Sequence, residues 1–213
     1  MGIPVLVLGA SGSGKSTSLR NFEPSEVGIF NVAGKPLPFR KKLPVVNNAN
    51  YDKIKKSIAI CVQGNKETKT WVIDDSQYLM AFESFDHAKE TGYGKFTNMA
   101  LNFRSLIDFV IKKIPNDHIV YFLHHTELTD NGYIKAKTLG KMLDNQLTVE
   151  GLFSIVLLCQ VEGSEHYFLT NSDGTNPAKS PMEMFEMRIP NDLKMVDQTI
   201  REYYELGSKE DKK

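Results

Sequence analysis

Apolar and polar positions alternate in blocks along the chain, and the blocks predict an order of elements. Ile3–Leu8 is a short apolar run of the kind that forms a buried strand, and Val27–Val32 is a second. A Pro-, Gly- and Lys-rich loop separates them from Tyr51–Gln63, where Ile54, Ile58 and Cys61 recur at helical spacing. Thr70–Asp74 is a third strand, ending in acid. A helix follows from Ser76 to about Glu90, with Ser76 and Gln77 as cap candidates, and Gly92-Tyr93-Gly94 breaks it. Phe96–Ile114 carries the clearest amphipathic stripe, through Phe103, Leu106, Ile107, Val110, Ile111 and Ile114. Ile119–Leu123 is a fourth strand, Phe153–Gln160 a fifth and His166–Thr170 a sixth, the last two joined by a hairpin-like turn at Val161–Ser164. Polar stretches fill Leu128–Glu150 and Asn171–Pro181, and Val196–Leu206 predicts a last helix. Strands alternating with helices predict an α/β fold, a mostly parallel sheet with helices on both faces and a C-terminal antiparallel hairpin. Residues 1–207 are expected to form one domain, and Ser208–Lys213 a charged, flexible tail.

The junction after the first strand carries chemistry. Gly9-Ala10-Ser11-Gly12-Ser13-Gly14-Lys15-Ser16 satisfies G-x-x-x-x-G-K-[ST], between an apolar strand and a helix-compatible run, Thr17–Phe22. Glycines at 9, 12 and 14 let the backbone curl so that successive N–H groups face inward as an anion cradle. Lys15 would bring a point charge to the β- and γ-phosphates, and the Ser16 hydroxyl suits Mg²⁺, which takes few protein ligands. Thr17 completes the set, and ATP with Mg²⁺ is the expected cofactor. A plain Gly/Ser turn would not require Lys15-Ser16 at that spacing.

Composition narrows the rest. The 213 residues carry 26 Lys+Arg against 26 Asp+Glu, so overall charge points to no polyanion, and any nucleic-acid site must be a local patch. An apolar fraction of 41% is that of an ordinary globular chain. Cys61 and Cys159 lack metal spacing and read as buried free thiols of a reducing compartment. No apolar run approaches the ~18 residues of a membrane span, and the start does not read as a signal peptide, so a cytoplasmic protein is expected.

Trp71-Val72-Ile73-Asp74-Asp75 is a second signature: an apolar strand ending in carboxylates, such as phosphoryl-transfer proteins use to hold the Mg²⁺ shell. Asp74 is the metal candidate alongside Ser16. Asp75 is the candidate to polarise a water or to face a neighbouring subunit, with helix capping as its plain alternative. Period-2 alternation puts His124 and His125 on opposite faces of the fourth strand. If that strand lies beside the first, His125 faces the γ-phosphate as a sensor. A hydrogen-bonded rim histidine is the alternative.

With both signatures, His125-Thr126-Glu127, Gly34–Pro38, Lys137–Asn145 and Asn191–Tyr204 in view, the chain resembles the RecA-like ATPase core, and within it the small phage-encoded members associated with single-strand annealing recombination. That resemblance implies ATP hydrolysis, a sheet of strand order 5-1-4-3-2, a ring or filament of subunits, and single-stranded DNA as partner, with a single-strand DNA-binding protein as a further candidate. It also implies basic residues reaching a neighbour's phosphates, for which Lys137 and Lys141 are the candidates. RecA-like enzymes usually end the second strand in a catalytic Glu. Here the chain reads Asn31-Val32-Ala33, and Asp75 or Glu127 is the expected substitute.

For DNA, residues 35–56 hold Lys35, Arg40, Lys41, Lys42, Lys53, Lys55 and Lys56 against Asp52 alone, with Phe39 and Tyr51 as stacking candidates. Tyr93, between glycines, is a further contact candidate, and a solvated loop and helix face is the plain reading of the patch. Two other functions fit the loop: an ATP-gated loader or scaffold with little hydrolysis, and a nucleotide kinase. The kinase is disfavoured by the scarcity of arginine after Arg104, where only Arg188 and Arg201 remain to clamp phosphates.

Overall fold

The structure is a computed structural model and describes residues 1–64, 66–90, 92, 94–139 and 148–207. Its centre is β1 (Ile3–Gly9), whose side chains alternate between two cores. Leu6 and Leu8 enter one core, Val5 and Val7 the other, and all four are fully buried. That two-sided burial explains why the strand reads as a continuous apolar run.

β1 pairs in parallel with β5 (Ile119–Leu128) on one side and β7 (Ile155–Glu162) on the other. Beyond β5 lie β4 (Thr70–Asp74), β2 (Val27–Asn31) and β3 (Val45–Asn47), all parallel. Beyond β7 lie β8 (Glu165–Leu169) and β9 (Arg188–Pro190), both antiparallel. β6 (Ile134–Ala136) pairs with the end of β5. The order β3-β2-β4-β5-β1-β7-β8-β9 differs from the expected 5-1-4-3-2, because the sheet continues past it at both edges. β3, β6 and β9 have three residues each, too short to show a period, and β9 ends in Pro190, which suits only an edge.

Four α-helices cover the sheet among the described residues. α1 (Tyr51–Gln63), α2 (Tyr78–Asp86) and α3 (Gly94–Lys113) pack on the Leu6/Leu8 face, through Ile54, Ile58, Leu79, Met80, Phe103, Leu106 and Val110. α4 (Leu193–Tyr203) packs on the Val5/Val7 face through Leu193, Val196 and Ile200. Asn50 caps α1 by accepting from the Lys53 N–H, and Asp192 caps α4 by accepting from Lys194 and Met195.

Three expected elements differ. The run after the glycine loop is one 3-10 turn, Ser16–Leu19, rather than a helix to Phe22. Leu19 and Phe22 are drawn into the core, and Pro24 follows at once, so the chain turns back into β2 without a longer helix. Ser76 is not a helix cap: its hydroxyl reaches Leu123 O and His124, and α2 begins only at Tyr78. The last helix starts earlier than Val196, at the Asp192 cap. No helix among the described residues is long and apolar enough to cross a membrane. Lys141, Tyr93, Gly140 and the tail Ser208–Lys213 lie outside the described residues.

Candidate functional site

The carboxyl ends of β1, β2, β4 and β5 open into one cleft of about 240 Å³. Ser11–Thr17 reach it from β1, Lys35, Pro36 and Pro38 from the loop after β2, Asp74 and Asp75 from β4, and His125 from β5. Ligands of open α/β sheets bind at this kind of crevice. The parallel register sets Gly9 directly beside His125, which brings the glycine loop and the histidine together.

Gly12 and Gly14 adopt φ of +80° and +100°, a conformation other residues resist. Gly14 is also enclosed: a side chain there would begin 2.8 Å from His166 Nδ1. Inside the curl, the Lys15 ammonium donates to Gly9 O at 2.8 Å and Ala10 O at 2.9 Å, and burial lowers its pKa. Ser16 Oγ donates to Asp74 Oδ1 at 2.8 Å, joining the two signatures across 58 residues of sequence. Asp74 is buried, which pushes its carboxyl pKa up against the opposing bond from Ser16. The N–H groups of Gly14 and Lys15 have no protein acceptor among the described residues, and the Ser13 hydroxyl is buried without a partner. Backbone N–H groups left open on a glycine curl are of the kind that can donate to an anion.

Asp75 sits at φ +59°, a left-handed turn that points its carboxylate back over the cleft. His125 Nε2 donates to Oδ1 at 3.0 Å and Lys35 Nζ to Oδ2 at 2.9 Å. Burial alone would raise this carboxyl; the bonds from His125 and Lys35 outweigh it and hold the pKa at about 2. His125 is fixed from three sides. Its N–H donates to Gln77 Oε1 at 3.1 Å, its carbonyl accepts from the Lys137 N–H at 2.8 Å, and its ring meets the Tyr78 ring edge to face. His124 turns the other way into the core, as alternation predicts. Ser76 Oγ lies 2.9 Å from its Nδ1, and its Nε2 donates to Lys137 O at 2.8 Å.

Most of the expected residues therefore converge: Ser11, Gly12, Gly14–Thr17, Asp74, Asp75 and His125 line the cleft, with Gly9, Ala10 and Ser13 forming the loop beneath. Glu127 does not join them. It stands in the β5–β6 hairpin opposite Lys135, paired at 2.9 Å, because the strand runs past the sheet end before turning. Lys35, expected at DNA, lines the cleft instead. Lys41 pairs with Glu23, while Arg40 and Lys42 are exposed. The two aromatics of that segment are not free platforms: Phe39 and Tyr51 pack against the two cores. Lys137 has an exposed side chain next to the backbone of His125.

Sequence reading missed the support behind the loop. Cys159 Sγ and His166 Nδ1 both donate to Ser13 O, at 2.9 and 2.8 Å, and Asn191 Nδ2 donates to Cys159 Sγ at 3.1 Å. Arg20 in turn donates to Asn191 O at 2.7 Å. Cys159 alone carried a signal, as the residue next to the strand end facing Gly9. His166 reaches the loop through the β7–β8 hairpin, which the turn at Val161–Ser164 marks without showing the contact, and Asn191 follows β9, whose pairing with β8 no local pattern marks.

No protein-family model matches the chain, and no curated protein matches it.

Proposed function

We propose that the protein is an ATP-binding and ATP-hydrolysing member of the RecA-like P-loop class, working in phage DNA recombination or replication with single-stranded DNA. The Ser16–Asp74 hydrogen bond carries the reading, since it ties a hydroxyl of the glycine loop to a buried carboxylate at the strand end. A G-K-S loop needs that partnership if it is to hold a metal beside phosphates, and a mere turn does not. The unpartnered Gly14 and Lys15 N–H groups fit phosphate oxygens. Among the described residues no group of three or more His, Cys, Asp or Glu is placed to hold a metal ion by itself, and Mg²⁺ here would rest on Ser16 and Asp74 with waters and phosphate.

When bound, Mg²⁺ and ATP would supply the electrophilic phosphorus and most of the charge compensation. The chain's own part is positional. Lys15 offers a desolvated ammonium, and Asp75 offers a carboxylate whose ionised form is secured by its partners. His125 links that carboxylate to the end of β5 and, through its carbonyl, to Lys137. Lys137 is the candidate for a contact with a neighbouring subunit's phosphates.

A second reading, an ATP-gated loader or scaffold with little turnover, is favoured by two observations. Asn31 stands at the β2 end without a carboxylate, and both oxygens of Asp75 are already engaged. Phosphate release measured with Mg²⁺–ATP, with and without single-stranded DNA, separates the two. DNA-stimulated turnover supports the enzyme, and tight ATP binding with negligible turnover in both conditions supports the loader. Absence of triphosphate binding removes both.

A further inference from the structure

Lys35 makes an unusual approach to the cleft. It belongs to the loop after β2, and its ammonium lies 2.9 Å from Asp75 Oδ2 and 5.1 Å from the centre of the Tyr78 ring, opposite the glycine loop. The approach is built rather than incidental. Asn31, at the end of β2, accepts the Gly34 N–H through Oδ1 at 2.8 Å and donates through Nδ2 to Lys35 O. Gly34 takes φ +69° to complete the turn, and a side chain there would strike Asn48. One amide thus holds both ends of the turn that presents Lys35. A carboxylate at position 31 could accept from Gly34 but could not donate to Lys35 O.

We propose that Lys35 is a second phosphate-binding lysine that rests on Asp75 in this structure and moves to the terminal phosphate of a bound nucleoside triphosphate, releasing one oxygen of Asp75. The proposal rests on reading the cleft as a triphosphate site. The Lys35 side chain is 60% exposed while Asp75 is 12% exposed, so the resting pair is half solvated and weakly held. A terminal phosphate offers the same ammonium more negative charge within reach of its flexible stem. Lys15, buried on Gly9 O and Ala10 O, lies at the base of the loop, so the two lysines approach from opposite walls. Discrimination between triphosphate and diphosphate then falls to Lys35, because a diphosphate lacks the group it would meet.

The test is equilibrium binding of fluorescent ATP and ADP analogues with Mg²⁺ to the full chain, its Lys35→Ala variant and its Lys35→Arg variant, with thermal melts to verify folding. The unmodified protein should prefer the triphosphate by about tenfold or more, the scale of one charge-assisted hydrogen bond. Lys35→Ala should lose that preference while its ADP affinity stays within about twofold, and Lys35→Arg should recover part of it. A Lys35→Ala protein that keeps the preference, or that weakens for both nucleotides alike, overturns the role of Lys35 and leaves the site reading intact. An unmodified protein that binds both nucleotides equally does the same. An unmodified protein that binds neither overturns the site reading and this proposal together.

Discussion

Protonating His124 should loosen the fold across a defined pH window. Its ring is fully buried, sits edge to face with Phe103, and bridges Ser76 to the carbonyl of Lys137. Burial brings its pKa down from 6.5 to about 4, with the neighbouring His125 and Lys15 pushing the same way and the bond to Lys137 O opposing. The folded pKa lies below the unfolded one, so the unfolded chain takes up the proton first as acid is added. The neutral-ring contribution is complete above pH 6.5, erodes as pH falls, and is spent near pH 4. By pH 4.5 linkage predicts a loss of about 2–3 kcal/mol from this group, a sizeable part of a typical domain's stability. Urea unfolding at pH 7 and pH 4.5, in parallel on the protein and on His124→Gln, isolates it. Gln can donate to Lys137 O and accept from Ser76 without titrating, so other groups cancel in the comparison. The variant should start less stable at pH 7, and the gap should narrow by about 2–3 kcal/mol at pH 4.5. A gap that stays constant, or a His124 imidazole that titrates near 6.5 by NMR, refutes the reasoning.

Asp75→Asn should reduce ATP hydrolysis by about a hundredfold or more if Asp75 handles the attacking water, with ATP affinity changed less than about threefold. Asn accepts positive φ readily, but it gives up the charge that pairs with Lys35 and His125, so the melting temperature should fall by a few degrees while the protein stays folded, and turnover is compared at a temperature well below the melt. Gly14→Ala should cost about 1–2 kcal/mol in denaturant unfolding from left-handed strain, and should also weaken ATP binding by pushing His166 off Ser13 O. Lys15→Ala should abolish ATP binding in calorimetry; retention of affinity would separate the glycine loop from phosphate recognition. Arg40→Ala combined with Lys42→Ala should lower single-stranded DNA affinity and flatten its salt dependence in filter binding, and an unchanged salt slope would move the DNA contact elsewhere.

The buried centre of the fold was legible because its strands are apolar on both faces. Ile3–Leu8, Thr70–Asp74 and Ile119–Leu123 have cores above and below, so burial alone marks them. The edges were not legible. Val45–Asn47 and Arg188–Pro190 owe their strand character to a neighbour's hydrogen bonds, and Ile134–Ala136 exists only because β5 overruns the sheet and folds back. The absent helix after the glycine loop has a similar origin. Residues 17–22 carry adequate helical propensity, yet burial of Leu19 and Phe22 and the approach of Pro24 end the turn at once.

The site divides along the same line. Lys15, Ser16 and Asp74 were readable because a fixed local spacing and a strand terminus specify them. The role of Lys35 was hidden in a basic run whose charges look equivalent in one dimension. What separates it from Lys41 and Lys42 is Asn31, whose side-chain amide folds the first residues of the loop back over the cleft while the later ones continue to the edge. The missing carboxylate at the end of β2 therefore has a positive counterpart. With an amide in that place, the chain orients a lysine instead of a base, and Asp75 is left as the carboxylate that faces the cleft from the next strand. If ATP is hydrolysed here, the reaction has to wait for that carboxylate to be freed, so Asn31→Asp should slow or misdirect Lys35 without restoring a base. A rise in turnover with Asn31→Asp would show that the carboxylate itself was what the site lacked.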